Sequence, residues 1–120
     1  MKRNPDQPTR AAAKAMAPVR GSKTGRPIMA LLDLLGRRWT LRMVWEMRDA
    51  ALTSRALRAA CDDASPTIIH ARLTELREAG LVETTGSGYG LTTMGQEMLR
   101  VALPLYAFAE RWGRRNRPPA

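Results

Sequence analysis

The chain has 120 residues and a formal net charge of +9, which leaves room for one domain and favours a polyanionic partner. Its only cysteine, Cys61, excludes an internal disulfide and fits a reducing cytoplasm, and no apolar run approaches the ~18 residues of a membrane span. No nucleophile–base pair, Gly-rich phosphate loop or Cys/His cluster is present, so neither an enzyme nor a metal or cofactor site is expected.

Residues 1–25 are rich in Pro, Ala, Gly and basic groups and show no sustained period. They read as a disordered basic arm. The start is Arg-rich like an organellar transit peptide, but Pro5, Pro8 and Pro18 interrupt any amphipathic helix. Pro27 suits the first turn of a helix whose apolar positions are Ile28, Leu31, Leu32 and Leu35, with Gly36 ending it. A second helix is expected over 38–48. Trp39, Met43, Val44 and Met47 form one stripe and Leu41 and Trp45 another, so burial on more than one side is expected. Asp49-Ala50-Ala51 is a turn, and Leu52-Thr53 reads as a one-bridge strand. A third helix over 55–61, capped by Ser54, buries Leu57 and either Ala60 or Cys61. Cys61 lies beside Asp62 and Asp63, where negative charge disfavours a thiolate, and it reads as a small core filler.

The next stretch is the most informative. Ser65 can cap a helix and Pro66 suits its first position. Ile69, Leu73 and Leu76 fall on one stripe, and Gly80 can take the left-handed backbone that closes the helix. Leu81–Thr85 reads as a strand, Gly86-Ser87-Gly88 as a tight turn and Tyr89–Thr92 as the returning strand. A capped helix with one apolar stripe, followed at once by a small hairpin, is the layout of a recognition helix and its wing. The expected fold is therefore mainly α with a small antiparallel β wing (α+β), a winged helix-turn-helix over 26–113. A basic tail over 114–120 follows it.

With Ile69 at the core centre and about 100° per residue, Thr67, His70, Ala71 and Thr74 point outward within the first two turns. They are the base-reading candidates. The face holds no Arg, Asn or Gln, the side chains suited to bidentate base contacts. Arg37, Arg38, Arg55, Arg58, Ser65 and Arg72 are the phosphate candidates, which position without reading sequence. For Arg72 a structural carboxylate is an equal alternative. Double-stranded DNA is thus the expected partner. A low-specificity basic nucleic-acid or ribosome-associated module is the other reading, because residues 1–26 hold seven basic groups, residues 111–117 four, and the span between them nine against ten acidic.

A last helix is expected over 94–115, with Thr92 or Thr93 as its cap. Met94, Met98, Val101, Leu105, Phe108 and Trp112 are spaced 4, 3, 4, 3, 4, a coiled-coil-like seam that suggests pairing with a second copy. A wide core-facing stripe within one chain is the alternative. Pro104 removes the hydrogen bond to the Arg100 carbonyl and should bend the helix. Trp39, Trp45, Tyr106, Phe108 and Trp112 read as core or pairing residues. The other use for such a group is to line a pocket for a small-molecule effector.

In order and spacing, the stretch of about residues 26–113, beginning with Pro27-Ile28, resembles the HxlR family of winged-helix regulators, relatives of the MarR group. The resemblance rests on Ala30–Gly36, Arg38-Trp39-Thr40-Leu41, Glu46, Leu57-Arg58, Ser65, Arg72-Leu73-x-x-Leu76, Gly80-Leu81-Val82 and Tyr89-x-Leu91-Thr92-x-x-Gly95. It implies a homodimer paired through the first and last helices, with two recognition helices in successive major grooves. Two departures stand out. Many members carry a cysteine just before the proline of the first helix, where this chain has Arg26. The wing is also short, and its tip is uncharged.

Overall fold

Backbone punctuation sets the element boundaries in the computed structural model, which describes residues 26–118. The basic arm expected over 1–25 lies outside those residues. Pro27 opens α1 (Pro27–Leu35), and the Gly36 N–H closes it on the Leu32 carbonyl at 2.9 Å. Helix α2 spans only Thr40–Glu46, two residues short of the expected boundary at each end. The cause at its start is Trp39, whose φ of 76° is left-handed and cannot continue a helix. Arg37 and Arg38 therefore sit in a turn between α1 and α2 rather than on a helix.

Helix α3 (Ser54–Ala60) is capped by Thr53, whose hydroxyl accepts from the Ala56 N–H at 3.1 Å. The cap lies one residue before the expected Ser54. Cys61 ends α3 and is fully buried, as a core filler should be. Asp62 and Asp63 both take positive φ, 52° and 55°, and turn the chain sharply into the next helix. Asp tolerates that conformation better than most side chains. The Arg58 Nε donates to the Ala64 carbonyl at 3.0 Å and braces the turn.

Helix α4 (Pro66–Glu78) begins as its sequence dictates. The Ser65 hydroxyl accepts from the Ile68 N–H, and Ile69, Leu73 and Leu76 are buried. Gly80 follows with φ 78°. Strands β1 (Val82–Thr85) and β2 (Gly88–Leu91) pair antiparallel, Val82 opposite Leu91 and Thr85 opposite Gly88, across a two-residue tip. Leu52 adds a single bridge to Tyr89, as expected, with hydrogen bonds of 2.9 and 2.8 Å.

The Thr92 hydroxyl caps α5 (Thr93–Asn116) by accepting from the Gly95 N–H, and it donates to the Gly80 carbonyl at 2.7 Å. One side chain thus ties the start of α5 to the end of α4. Gly95 lets the two approach closely, because a β-carbon there would lie 2.0 Å from the Leu81 carbonyl oxygen. The first turns of α5 consequently face the core, and Met98, Leu99 and Ala102 are buried. Helix α5 runs on through Arg114 and Arg115 to Asn116.

The core lies between α2, α3, α4 and the base of the hairpin, with Met43, Val44, Leu57, Ile69 and Leu76 fully buried. The second stripe of α2 is half-buried against α5. There Trp45 and Tyr106 lie 5.4 Å apart, and the Tyr106 hydroxyl donates to the Leu41 carbonyl.

Candidate nucleic-acid interface

The burial of Ile69, Leu73 and Leu76 turns one face of α4 inward and so decides which residues it presents. Thr67, His70, Ala71 and Thr74 are all exposed on the opposite side, and Ser65 at the cap is exposed as well. The structure therefore brings the four base-reading candidates onto one free face near the helix start. That face offers two hydroxyls, one imidazole and methyl groups. It suits single hydrogen bonds and contact with a thymine methyl better than bidentate readout.

The phosphate candidates separate into two groups. Arg55 is exposed on α3. Arg38 is exposed and lies over the Trp39 ring, 5.2 Å from its centroid, which leaves its N–H edge open. The other three are engaged within the chain. Arg58 holds the Ala64 carbonyl. Arg37 pairs with Asp33 at 2.9 Å and also with Glu75. Arg72 pairs with Glu75, and its Nε is buried with no partner. For Arg72 the structural-carboxylate alternative is the one observed. Burial lowers the pKa of the Arg37 guanidinium, but its hydrogen bonds and charge pairing with Asp33 and Glu75 outweigh this and hold it above the ordinary value.

Glu75 is the residue that sequence reasoning missed. The i, i+3 spacing to Arg72 was visible; the pairing with Arg37, 38 residues away, needed the fold. The wing tip, Gly86-Ser87, is exposed and uncharged, and the Thr85 hydroxyl braces it by accepting from the Ser87 N–H at 3.1 Å.

The expected seam on α5 divides in two. Met98 is not available for pairing, because the close approach at Gly95 turns it into the chain's own core, 7% exposed. Met94, Val101, Leu105, Phe108 and Trp112 are exposed, between 52% and 68%. On α1, Ile28 and Leu32 are exposed as well. The aromatic residues do not gather into one pocket. Trp45 and Tyr106 line an open cleft of about 580 Å³ with Leu41 and Leu103, Trp39 lines a different one, and Phe108 and Trp112 lie on the open face of α5. Among the described residues no helix is long and apolar enough to cross a membrane.

Comparison with known proteins agrees with this geometry. The model of the HxlR-like helix-turn-helix family matches residues 34–117. An uncharacterized HTH-type transcriptional regulator of Methanocaldococcus jannaschii is 25% identical over 88 residues, 70% of this chain and 83% of the relative. The crystal structure of a possible HxlR family transcriptional factor from Thermoplasma volcanium is 25% identical with a TM-score of 0.65, covering 73% of this chain and 85% of that one. Quinone-bound YodB from B. subtilis shares the fold at 24% identity and a TM-score of 0.65, over 70% of this chain and 96% of that one. The chain belongs to the HxlR-like helix-turn-helix family and has the DNA-binding fold of its transcriptional regulators.

Proposed function

We propose that the protein is a sequence-specific transcriptional regulator that binds a (pseudo)palindromic operator as a homodimer in the cytoplasm. The observation that carries this reading is α4, capped by Ser65 and buried along Ile69, Leu73 and Leu76, with Thr67, His70, Ala71 and Thr74 exposed together on its outer face. These four residues read bases in the major groove. Arg38 and Arg55 meet phosphates directly, and Ser65 with the Thr67 N–H at the start of α4 does the same. Arg37, Arg58 and Arg72 would have to exchange intramolecular partners to join them.

The homodimer reading rests on the exposed apolar residues of α1 and α5. Ile28, Leu32, Leu105, Phe108 and Trp112 are all more than half exposed in one chain, and pairing with a second copy would take these large apolar side chains out of water. Selection of duplexes from a random library by the full chain tests the reading. Two inverted half-sites about 10–10.5 bp apart, centre to centre, are the expected product. Binding of all duplexes alike, with a steep salt dependence, would instead establish the low-specificity module that the basic ends of the sequence keep in contention.

A further inference from the structure

We infer that Glu75 is a positioning residue for DNA reading: through Arg37 and Asp33 it ties the recognition helix α4 to the end of α1 and fixes the angle at which α4 presents its outer face. The inference rests on the function proposed above and names what sets its specificity.

Four charged side chains form one connected network. Asp33 on α1 accepts from Arg37 at 2.9 Å, and Arg37 donates its other guanidinium nitrogen to Glu75 on α4. The remaining oxygen of Glu75 takes Arg72. Two carboxylates and two guanidiniums cancel in charge, and each oxygen of Glu75 has its own arginine. The Glu75 side chain is 22% exposed and that of Arg72 is 17%, so water competes least at the α4 end of the network; Asp33 and Arg37 at the α1 end are 31% and 41% exposed, and there the two-carboxylate geometry of Arg37 carries the link.

The apolar packing of α4 does not set its angle alone. Helix α4 packs mainly on α3 and β1, and its buried stripe of Ile69, Leu73 and Leu76 decides which face turns inward, but apolar burial is non-directional and leaves the last few degrees of the angle to polar contacts. A guanidinium is planar with donors in a fixed fork, so Arg37 between two carboxylates is directional. The lever is short. Glu75 follows Thr74 directly, and Ala71 lies one turn back on the same helix. A helix with side chains has a radius of about 5–6 Å, so a roll of ~20° moves a side-chain tip by ~2 Å. That exceeds the tolerance of a hydrogen bond to a base edge. The other end of the network, Asp33, directly follows the exposed Leu32 on α1. The network thus joins the reading helix to the helix whose apolar face is open for pairing.

The test uses the full chain, a duplex selected by the wild-type protein from a random library, and a scrambled duplex of equal length. Glu75→Gln and Arg37→Gln are each expected to weaken binding to the selected duplex by roughly five- to tenfold, with the double variant no worse than either single one. Affinity for the scrambled duplex and the salt slope should stay near wild type, and so should the thermal midpoint of Arg37→Gln, which leaves the Glu75–Arg72 pair in place, whereas Glu75→Gln should lower it by leaving Arg72 without a carboxylate. Arg37→Lys should restore part of the affinity, because one carboxylate can still be held. Asp33→Asn, which cuts the network without touching α4, should give a smaller loss of the same kind and carries the test if Glu75→Gln fails to fold.

Equal loss on both duplexes for Arg37→Gln, with a flatter salt slope, would overturn the inference and make Arg37 a phosphate contact. Tighter binding of both duplexes by Glu75→Gln, with a steeper slope, would overturn it too, since Glu75 would then be withholding arginines from DNA. Unchanged binding by every variant would reduce the network to a surface ion pair. A wild-type protein that selects no motif at all would overturn the proposed function and this inference together.

Discussion

At the scale of single residues, the chemistry is governed by what each side chain faces. Cys61 is fully buried, and that burial pushes its thiol pKa up; Glu46 and Asp62 add to the effect and Arg42 opposes it. Thiol reagents should therefore label Cys61 only after denaturant unfolds the chain, and labelling of the native protein at the unfolded rate would refute its core role. The same shift has a sign in stability. The unfolded thiol loses its proton first as pH rises, so stability is fully present below the unfolded pKa and falls as pH climbs above it. Tyr106, raised by burial with Arg42 opposing, adds a fall of the same sign at higher pH, since its donation to Leu41 needs the phenol proton. Thermal midpoints between about pH 7 and 10.5 should decline at the alkaline end, less steeply in Cys61→Ala. On α4, Thr67→Ala or His70→Ala should cost about 1–3 kcal/mol on the selected operator and little on random DNA. Equal losses on both would move these side chains to phosphate binding. The stripe, the cap and the outward face of α4 were legible because helix period and capping chemistry are local. The pairing of Glu75 with Arg37 was not, because it forms only when distant segments pack.

At the scale of elements, the boundaries that escaped the sequence share a cause. Helix α2 read as starting at Arg38 because Trp39 continues the apolar stripe, but Trp39 adopts a left-handed backbone that periodicity cannot reveal. Thr53 and Ser54 are adjacent and chemically similar, so which one caps α3 was settled by the entry of the chain from the Leu52–Tyr89 bridge. Met98 shows the same limit in packing. Its spacing fits the seam, but the depth at which α5 docks is set by Gly95 against the Leu81 carbonyl. Gly95→Ala should force α5 outward and cost about 1–3 kcal/mol in denaturant unfolding. Leu105→Glu tests the other side of the helix. Leu105 is 55% exposed in one chain, so the substitution should leave the fold of the domain intact. In the proposed dimer it places a charge in an apolar interface, and sedimentation equilibrium at micromolar concentration should shift from two chains to one. Tight operator binding should disappear with it, because one half-site no longer supports the other. A variant that remains dimeric would put the pairing surface elsewhere.

At the scale of the whole molecule, the basic character lies at the two ends of the sequence, in residues 1–26 and at the far end of α5. Residues 27–110 carry nine basic and ten acidic groups, and several of those arginines are already engaged by Asp33, Glu46, Glu75 and the Ala64 carbonyl. The wing tip is uncharged and the wing carries Glu83. Of the arginine candidates around the recognition helix and wing, only Arg38 and Arg55 are then free to meet phosphates, whereas residues 1–25 hold Lys2, Arg3, Arg10, Lys14, Arg20 and Lys23 against the single Asp6. We therefore propose that this segment supplies electrostatic affinity that the wing does not, by meeting the backbone or a minor groove beside the bound site. Deleting residues 1–25 should leave the thermal midpoint and the two-chain state unchanged and weaken DNA binding. Removing one neutralised phosphate should flatten the slope of log affinity against log salt by ~0.9, so two phosphates per chain in a dimer would change it by roughly four. Operator and scrambled duplexes should be affected alike, because phosphate binding carries little sequence information. This separates the segment from α4, whose variants should weaken binding to the operator alone. An unchanged salt slope after the deletion would show that the domain neutralises its phosphates by itself. Arg38 and Arg55, exposed on the domain, would then be the first candidates for that role.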